Sequence, residues 1–330
     1  GGLSKTTGDV VTVLDAAARV VLHSNARSLS VHLDAVAARA RDEAIAIADA
    51  SLSDDHAEPV RGATREGVPP LPSTMLAVGI GGFTQGTGFR LALEGTANTP
   101  SPWVNVLANP GFGTIVTEAG STFTWSSNSR EHRLTRFDND PVTDTTAEAL
   151  FIRDEADGIV WAPTPSPLPR ERDDTFDVCH AAGRTTIDRA AHGISSRVEV
   201  CVDAVDPVKV TVLTLTNQSS LPRRLSVYGY CEWWLGTPVD GQQRHVVTEY
   251  DDRGVVFARN PYGSDQDRSV AFAALSGSTS ATGNRTEFIG RNRSLASPAA
   301  LDGRRLLGRF GAGLDPCAAL RTPVHLDAGT

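Results

Sequence analysis

Residues 208–216, which read VKVTVLTLT, decide the fold because valine occupies every second position from 208 to 212 and other residues stand between. In an extended chain, successive side chains point to opposite faces. The two faces of this stretch are therefore distinct: Val208, Val210, Val212 and Thr214 share one, and Lys209, Thr211 and Leu213 share the other. Such alternation predicts a β-strand that packs on one side.

Similar short runs follow one another from about residue 75 onward, closed by Gly, Pro, Asn and Asp, and none shows a long helical period. Twelve segments fit a strand: residues 89–93, 112–117, 123–125, 149–153, 159–162, 185–190, 195–202, 208–216, 224–235, 244–250, 254–260 and 270–274. A dozen antiparallel strands exceed what one open sheet usually holds. The sequence thus predicts a mainly β domain over residues 74–330, a large antiparallel sandwich of two sheets.

The N-terminal part of the chain has a different pattern. Residues 9–50 are rich in Ala, lack Pro, and repeat apolar residues at three-to-four spacing, which predicts a helical segment over residues 1–50 with a break near His23. Residues 51–73 contain Gly62, Gly67 and the run PPLP, and show almost no periodicity. This composition indicates an exposed, flexible linker and a domain boundary.

Composition narrows the class of function. With 330 residues, 40% of them hydrophobic, the chain can bury a large core, and its formal net charge of -8 argues against nucleic acid as a partner. The four cysteines are widely scattered, so we expect free thiols, no structural zinc and a reducing compartment. We find no spanning apolar run and no signal peptide, and we expect a cytoplasmic protein, which leaves room for a parent enzyme attached to the inner membrane through other domains.

No self-sufficient catalytic motif is recognisable: the sequence lacks GxSxG, HExxH and GxxxxGK[ST]. The Gly-rich residues 79–88 precede no helical pattern, so a nucleotide fingerprint lacks its context. We therefore nominate no catalytic residue, no metal ligand and no cofactor.

The densest polar block, TWSSNSREHRLTRFDNDPVTD at residues 124–144, is long for a loop between strands. Its guanidinium, carboxylate and amide groups beside a Trp suit the hydroxyls and ring face of a sugar. The candidate contacts are Asn128, Arg130, Arg133, Asp138 and Asp140. The alternative is a structural loop, in which the acidic residues of the block are neutralised by its arginines: Glu131, Asp138, Asp140 and Asp144 by Arg130, Arg133 and Arg136.

Asp138 and Asp140 are also the obvious pair for glycoside hydrolysis, but their spacing argues against it. Residues i and i+2 of an extended segment face the same way, whereas the two acids of a glycosidase flank the sugar from opposite sides. A second candidate contact is the polar tip with Gln243 and Arg244, which follows the aromatic strand end at residues 230–236. A solvated turn is the alternative there.

Several blocks together resemble a known family. PSPWVNVLANPGFG (100–113), the 124–144 block and EALFIRDEADGIVWAPTPSPLP (148–169) resemble the N-terminal part of family 94 glycoside phosphorylases, formerly glycosyltransferase family 36. Residues 206–236 and VVTEYDDRGVVFARNPY (246–262) look like the phosphorylase-like domain of cyclic β-1,2-glucan synthases. The sequence departs from the family pattern at Phe137-Asp138, where Trp-Ser is commoner, and at residues 179–183.

The resemblance implies a β-supersandwich that is followed, in the complete enzyme, by an (α/α)6 barrel carrying the general acid and most of the phosphate site. Inorganic phosphate would be the co-substrate and would attack the anomeric carbon with inversion. The sandwich would pack against the barrel, support a homodimer and lend loops to a cleft for a β-glucan oligosaccharide. Because the chain opens and ends abruptly and the barrel is missing, we expect a fragment that is inactive alone.

Two other functions stay open at this point. The chain could be a free-standing carbohydrate-binding module, because a complete sandwich follows a linker. It could also be a purely structural dimerisation domain without any sugar contact.

Overall fold

The computed structural model describes residues 74–78, 80–84, 88–237, 241–262 and 269–330. The predicted helical segment 1–50 and the predicted linker 51–73 lie outside the described residues. No helix in the described part is both long and apolar enough to cross a bilayer.

Strands dominate the described part of the chain. In chain order they are β1 Thr74–Val78, β2 Gly81–Thr84, β3 Gly88–Glu94, β4 Val104–Asn109, β5 Phe112–Thr117, β6 Thr122–Ser126, β7 Arg133–Thr135, β8 Glu148–Asp154, β9 Val160–Trp161, β10 Thr175–Ala181, β11 Arg184–Ala191, β12 Ile194–Val202, β13 Lys209–Asn217, β14 Arg223–Gly236, β15 Val247–Tyr250, β16 Val255–Arg259, β17 Ala271–Ala274, β18 Ser280–Asn284 and β19 Pro316–Leu326. Helix is scarce among the residues that the structure describes: one short α-helix, α1, spans Arg285–Ile289, and 3-10 turns span Gln242–His245 and Ala299–Asp302.

The strands form two large antiparallel sheets and a small one. The first has the order β1-β2-β3-β10-β11-β12-β13, and the second has the order β18-β19-β14-β7-β6-β5-β4, with β8 and β9 attached at β14. The third, β15-β16-β17, was not expected from the sequence, which predicts only two sheets. The large antiparallel sandwich is confirmed.

Apolar side chains fill the space between the layers. One core cluster joins the first sheet to the edge of the second: Leu91, Phe176, Val178, Ile187 and Val198 meet Leu107 and Val116. Another joins the small sheet to the second: Val246, Val256 and Ala258 meet Trp233, Ala281, Ala318 and Leu320. On its other face the second sheet is covered by α1, whose Phe288 packs against Phe151, Tyr228 and Tyr230. The second sheet is thus the central layer.

Strand β13 packs on one side, as its alternation predicts, but its valine face is the exposed one. Val210 and Val212 are 41% and 49% exposed, while Leu213 packs into the core between the large sheets. The register explains the reversal, because Val212 lies opposite Glu199 on the outward face of β12. Both faces of β13 carry apolar residues, so hydrophobicity alone could not choose between them.

Other differences from the predicted strands also have local causes. In β4, Val104 and Val106 face solvent, whereas Asn105 donates hydrogen bonds to the carbonyl oxygens of Ala181 and Arg184, at 2.9 and 3.1 Å. The predicted strand 244–250 is a strand only over Val247–Tyr250. Its first part is the 3-10 turn that follows Gly241, whose φ of 85° is a left-handed conformation that suits glycine.

Candidate functional site

The polar block 124–144 begins as a tight hairpin rather than as a long loop. The backbone N–H of Ser126 donates to the carbonyl oxygen of His132 at 3.0 Å, and β7 then pairs with both β6 and β14. Asn128 closes the turn, because its Oδ1 accepts from the backbone N–H groups of Arg130 and Glu131 at 2.8 and 3.0 Å. Asn128 therefore has a structural task in the turn, as Asn often has.

Arg130 projects from this turn and is the most exposed of the nominated arginines of the block. Its side chain is 81% exposed, and its contact with Glu131 is 3.5 Å long. An exposed pair of neighbouring residues at this distance holds the guanidinium weakly. Arg130 is thus available to bind a ligand.

Arg133 lies inside the hairpin. Its Nη1 donates to the carbonyl oxygen of Phe137 at 3.1 Å, and its guanidinium lies 5.5 and 5.9 Å from the ring centroids of Phe123 and Phe137, which stack on each other. Burial lowers the pKa of Arg133. Within the described residues, its Nε has no hydrogen-bond partner and no carboxylate pairs with the group. Arg133 is therefore held within the block without an ion pair, and the charge of Asp138 acts on it only at longer range.

Asp138 belongs to a chain of alternating charges that reaches strand β14. Arg136 contacts Asp138 at 2.8 Å and Glu232 at 3.6 Å, and Arg285 contacts Glu232 and Asp315, each at 3.1 Å. Burial raises the pKa of Glu232, and Arg285 and Arg136 oppose that shift. Glu232, Arg285 and Asp315 were missed by sequence reasoning. The sequence feature that could have revealed them is Glu232, the single acidic residue in the aromatic strand end 230–236.

Asp140 stabilises the next turn. Its carboxylate accepts from the backbone N–H of Val142 at 2.9 Å and from the hydroxyl of Thr143 at 2.6 Å, and these bonds lower its pKa, with the Thr143 hydroxyl contributing most. Asp138 and Asp140 thus have separate partners.

Gln243 and Arg244 lie in the 3-10 turn Gln242–His245, which contacts β14. Arg244 is exposed, and Gln243 keeps a buried Oε1 that has no partner among the described residues. The C-terminal end of β14 is common to both candidate segments, since Arg133 of β7 pairs with Gly236 there. Within the described residues, however, no hydrogen bond or ion pair joins Gln243 or Arg244 to residues 128–140.

A cavity of about 720 Å³ lies between the sheets beside this end. Its walls come from all three sheets, with Thr124, Glu148 and Trp233 on the second, Val200 and Lys209 on the first and Phe272 on the small one. Among the described residues, no group of three His, Cys, Asp or Glu side chains is placed to hold a metal ion.

Comparison with known proteins identifies the fold family. Residues 89–330 match the model of the glycosyl hydrolase 94 supersandwich domain. The chain belongs to this family.

Relatives of the supersandwich domain include enzymes of both kinds that the sequence resembles. The chain is 36% identical over 255 residues to the cyclic beta-(1,2)-glucan synthase NdvB of Rhizobium meliloti (strain 1021). The aligned region covers 76% of this chain and 9% of the relative. The chain is 24% identical over 240 residues to the N,N'-diacetylchitobiose phosphorylase of Vibrio furnissii, covering 70% of this chain and 30% of that one. It is 30% identical over 167 residues to the solabiose phosphorylase of Paenibacillus borealis, covering 48% and 20%. The chain spans less than a third of the length of these relatives.

Proposed function

We propose that this supersandwich domain is a non-catalytic part of a β-1,2-glucan-processing glycoside phosphorylase or cyclic β-1,2-glucan synthase. In that enzyme it shapes the carbohydrate cleft and the oligomer. Similarity to the glucan synthase over 76% of the chain supports this assignment over that to a free-standing binding module. The missing partner is an (α/α)6 catalytic domain, and the complete enzyme is cytoplasmic and homodimeric.

The observation that carries the cleft role is the exposure of Arg130 and Arg244. These two guanidinium groups lie on segments that border the C-terminal end of β14, and both point into solvent. Neighbouring cations such as Arg136 and Arg285 are held by carboxylates instead. Exposed planar donors on two turns beside the same strand end suit the hydroxyl groups of a β-glucan oligosaccharide.

The chemistry of the complete enzyme needs no acid from this domain. An oxygen of inorganic phosphate forms the new bond to the anomeric carbon while the glycosidic bond breaks. A general acid on the catalytic domain gives its proton to the leaving oxygen. Because phosphate is the nucleophile, one protein acid suffices, and the contribution of the supersandwich domain is to position the glucan.

Alanine substitution in the complete enzyme tests the cleft role. Arg130→Ala and Arg244→Ala should each lower kcat/KM for β-1,2-glucan by the equivalent of about 1.5 to 3 kcal/mol, the range for a charge-assisted hydrogen bond. Arg253→Ala is the matched control, because Arg253 is also exposed and its ion pair with Asp251 lies in the β15–β16 turn. If both cleft variants keep the kcat/KM of the control, the cleft role is wrong.

A further inference from the structure

The cavity between the sheets is too large to be a packing defect. The cavity opens to solvent, so it is a cleft between the sheets rather than an enclosed internal void. A volume of about 720 Å³ is the size of a ligand pocket, which typically measures about 300 to 1,000 Å³.

An ion pair forms the polar wall of this cavity. The Lys209 ammonium donates to the Glu148 carboxylate and, at 3.2 Å, to the Thr124 hydroxyl. Oε1 of Glu148 also accepts from Thr124 and Thr135, at 2.6 and 3.0 Å. The side chains of Lys209 and Glu148 are each only 14% exposed. An ammonium has three N–H groups, so one N–H of Lys209 has no protein partner among the described residues.

Burying such an ion pair is unfavourable for folding. Two charges taken out of water lose several kcal/mol of solvation each, and apolar residues of the same size usually stabilise a core better. Burial lowers the pKa of Lys209 to about 8. The pair does not fill the space beside it. A role in folding alone would therefore not explain why the cavity and the pair occur together.

We propose that this cavity binds a neutral polyhydroxylated ligand of one or two hexose units. The paired charges leave no net charge, and they offer a free N–H together with carboxylate lone pairs, which match the mixed donors and acceptors of sugar hydroxyls. The lining also includes Val200 and Leu150, whose apolar surface suits the C–H face of a sugar ring. The two further charged residues of the lining, Arg133 and Glu131, are one cation and one anion, so the lining as a whole carries no net charge and favours a neutral ligand.

The gap between two sheet edges provides a path into the cavity. Strand β13 ends the first sheet and β17 ends the small one, and both contribute to the lining. Thr211 of β13 lines the cavity and is exposed, so it stands at the opening. Its strand neighbour Thr214 is also exposed but lies on the opposite face, beside Arg197.

Isothermal titration calorimetry on the 330-residue chain tests this site, with glucose, a β-1,2-linked glucose disaccharide, glucuronate and glucose 6-phosphate as probes. We expect binding of glucose or the disaccharide and weaker binding of the two anions. Thr211→Phe should block the entrance and weaken binding at least about tenfold, whereas Thr214→Phe adds the same ring outside and should leave binding unchanged.

A second variant removes the charged groups of the cavity wall and leaves its entrance open. Lys209→Met with Glu148→Gln keeps the side-chain volume, leaves no unpaired charge, and should also weaken binding at least about tenfold. Circular dichroism identifies the variants that fold, and Thr211→Phe suffices if the double variant does not. Four results would overturn the proposal: no binding of any probe at millimolar concentration, tighter binding of the anions, unchanged binding by folded Thr211→Phe, or unchanged binding by a folded double variant.

Discussion

Among single residues, the two nominated arginines of the hairpin have different surroundings and therefore different expected effects. Arg133→Ala removes a hydrogen bond to the Phe137 carbonyl oxygen and two ring contacts, so it should lower the free energy of unfolding by about 1 to 2 kcal/mol. Arg130→Ala removes only a weak surface ion pair and should change the free energy of unfolding by less than about 0.5 kcal/mol. Urea unfolding of both variants measures this difference. Equal destabilisation would contradict the hairpin geometry.

The Lys209–Glu148 pair makes a second prediction at this scale. Lys209→Met alone leaves a buried carboxylate without its cation and should cost about 3 to 5 kcal/mol, whereas adding Glu148→Gln should recover much of that loss. A double-mutant cycle by denaturant unfolding measures the coupling. Additive effects of the two substitutions would show that the pair does not form.

His180 gives a pH-dependent prediction. Burial lowers the pKa of His180 below the ordinary value near 6.5. Its two ring nitrogens form hydrogen bonds with Thr185 Oγ1 at 3.0 Å and with the Trp103 carbonyl oxygen at 3.2 Å. Below pH 6.5 the unfolded chain therefore binds a proton that the folded chain does not, and stability falls as the pH falls, by at most about 1.4 kcal/mol per pH unit for one group. The stability advantage of the wild type over His180→Gln should shrink from pH 7.5 to pH 5.5. A constant advantage would contradict a depressed pKa.

At the scale of elements, the pairing of β5 with β6 depends on a glycine. Gly113 faces Trp125, and a Cβ there would lie 2.4 Å from Cζ2 of the indole ring. Gly113→Ala must move the ring or the strand and should cost about 1 to 3 kcal/mol. Gly111→Ala is the matched control, since its Cβ would meet nothing closer than 3.9 Å. Thermal unfolding of the two variants should differ clearly, and equal midpoints would refute this close contact.

The elements also show how far the sequence could be read. The sequence pattern located β5 to the residue and β11, β12 and β14 within one or two residues, because each is a run of strand-forming residues bounded by Gly, Pro, Asn or Asp. It missed β1, β2, β4, β7 and β10, and also β18, which reads SATGN, and β19, which contains Pro316 and Pro323. Pro323 is tolerated because β18 pairs with β19 only as far as Arg321, so no strand needs its missing N–H on that side.

The candidate site was less predictable for a physical reason. The sequence identified the polar block, but the partners of a side chain depend on contacts between distant segments. Arg136 reaches Glu232 on β14, and Glu148 reaches Lys209 across the two large sheets. Spacing along the chain carries no information about such contacts. Whether Asn128, Arg130, Arg133, Asp138, Asp140, Gln243 and Arg244 contact sugar stays a prediction.

For the whole molecule, topology keeps the four cysteines apart. Cys179 and Cys201 lie on β10 and β12, with β11 between them, which is beyond the reach of a disulfide. Cys317 pairs with Glu232, the neighbour of Cys231, so those two thiols point to opposite faces of their sheet. Alkylation without reductant after unfolding should label all four, as read by mass spectrometry. A protected pair would contradict the described topology.

The central claim is that this supersandwich domain does not process glucan without its catalytic partner. The most direct measurement is the chromatographic profile of β-1,2-glucan incubated with inorganic phosphate, which reports both glucose 1-phosphate and altered chain lengths. With the isolated 330-residue chain the profile should be the same as with a heat-inactivated sample, whereas the complete enzyme, assayed in parallel, should change it. Release of glucose 1-phosphate or a shift in chain length by the isolated chain would contradict the claim.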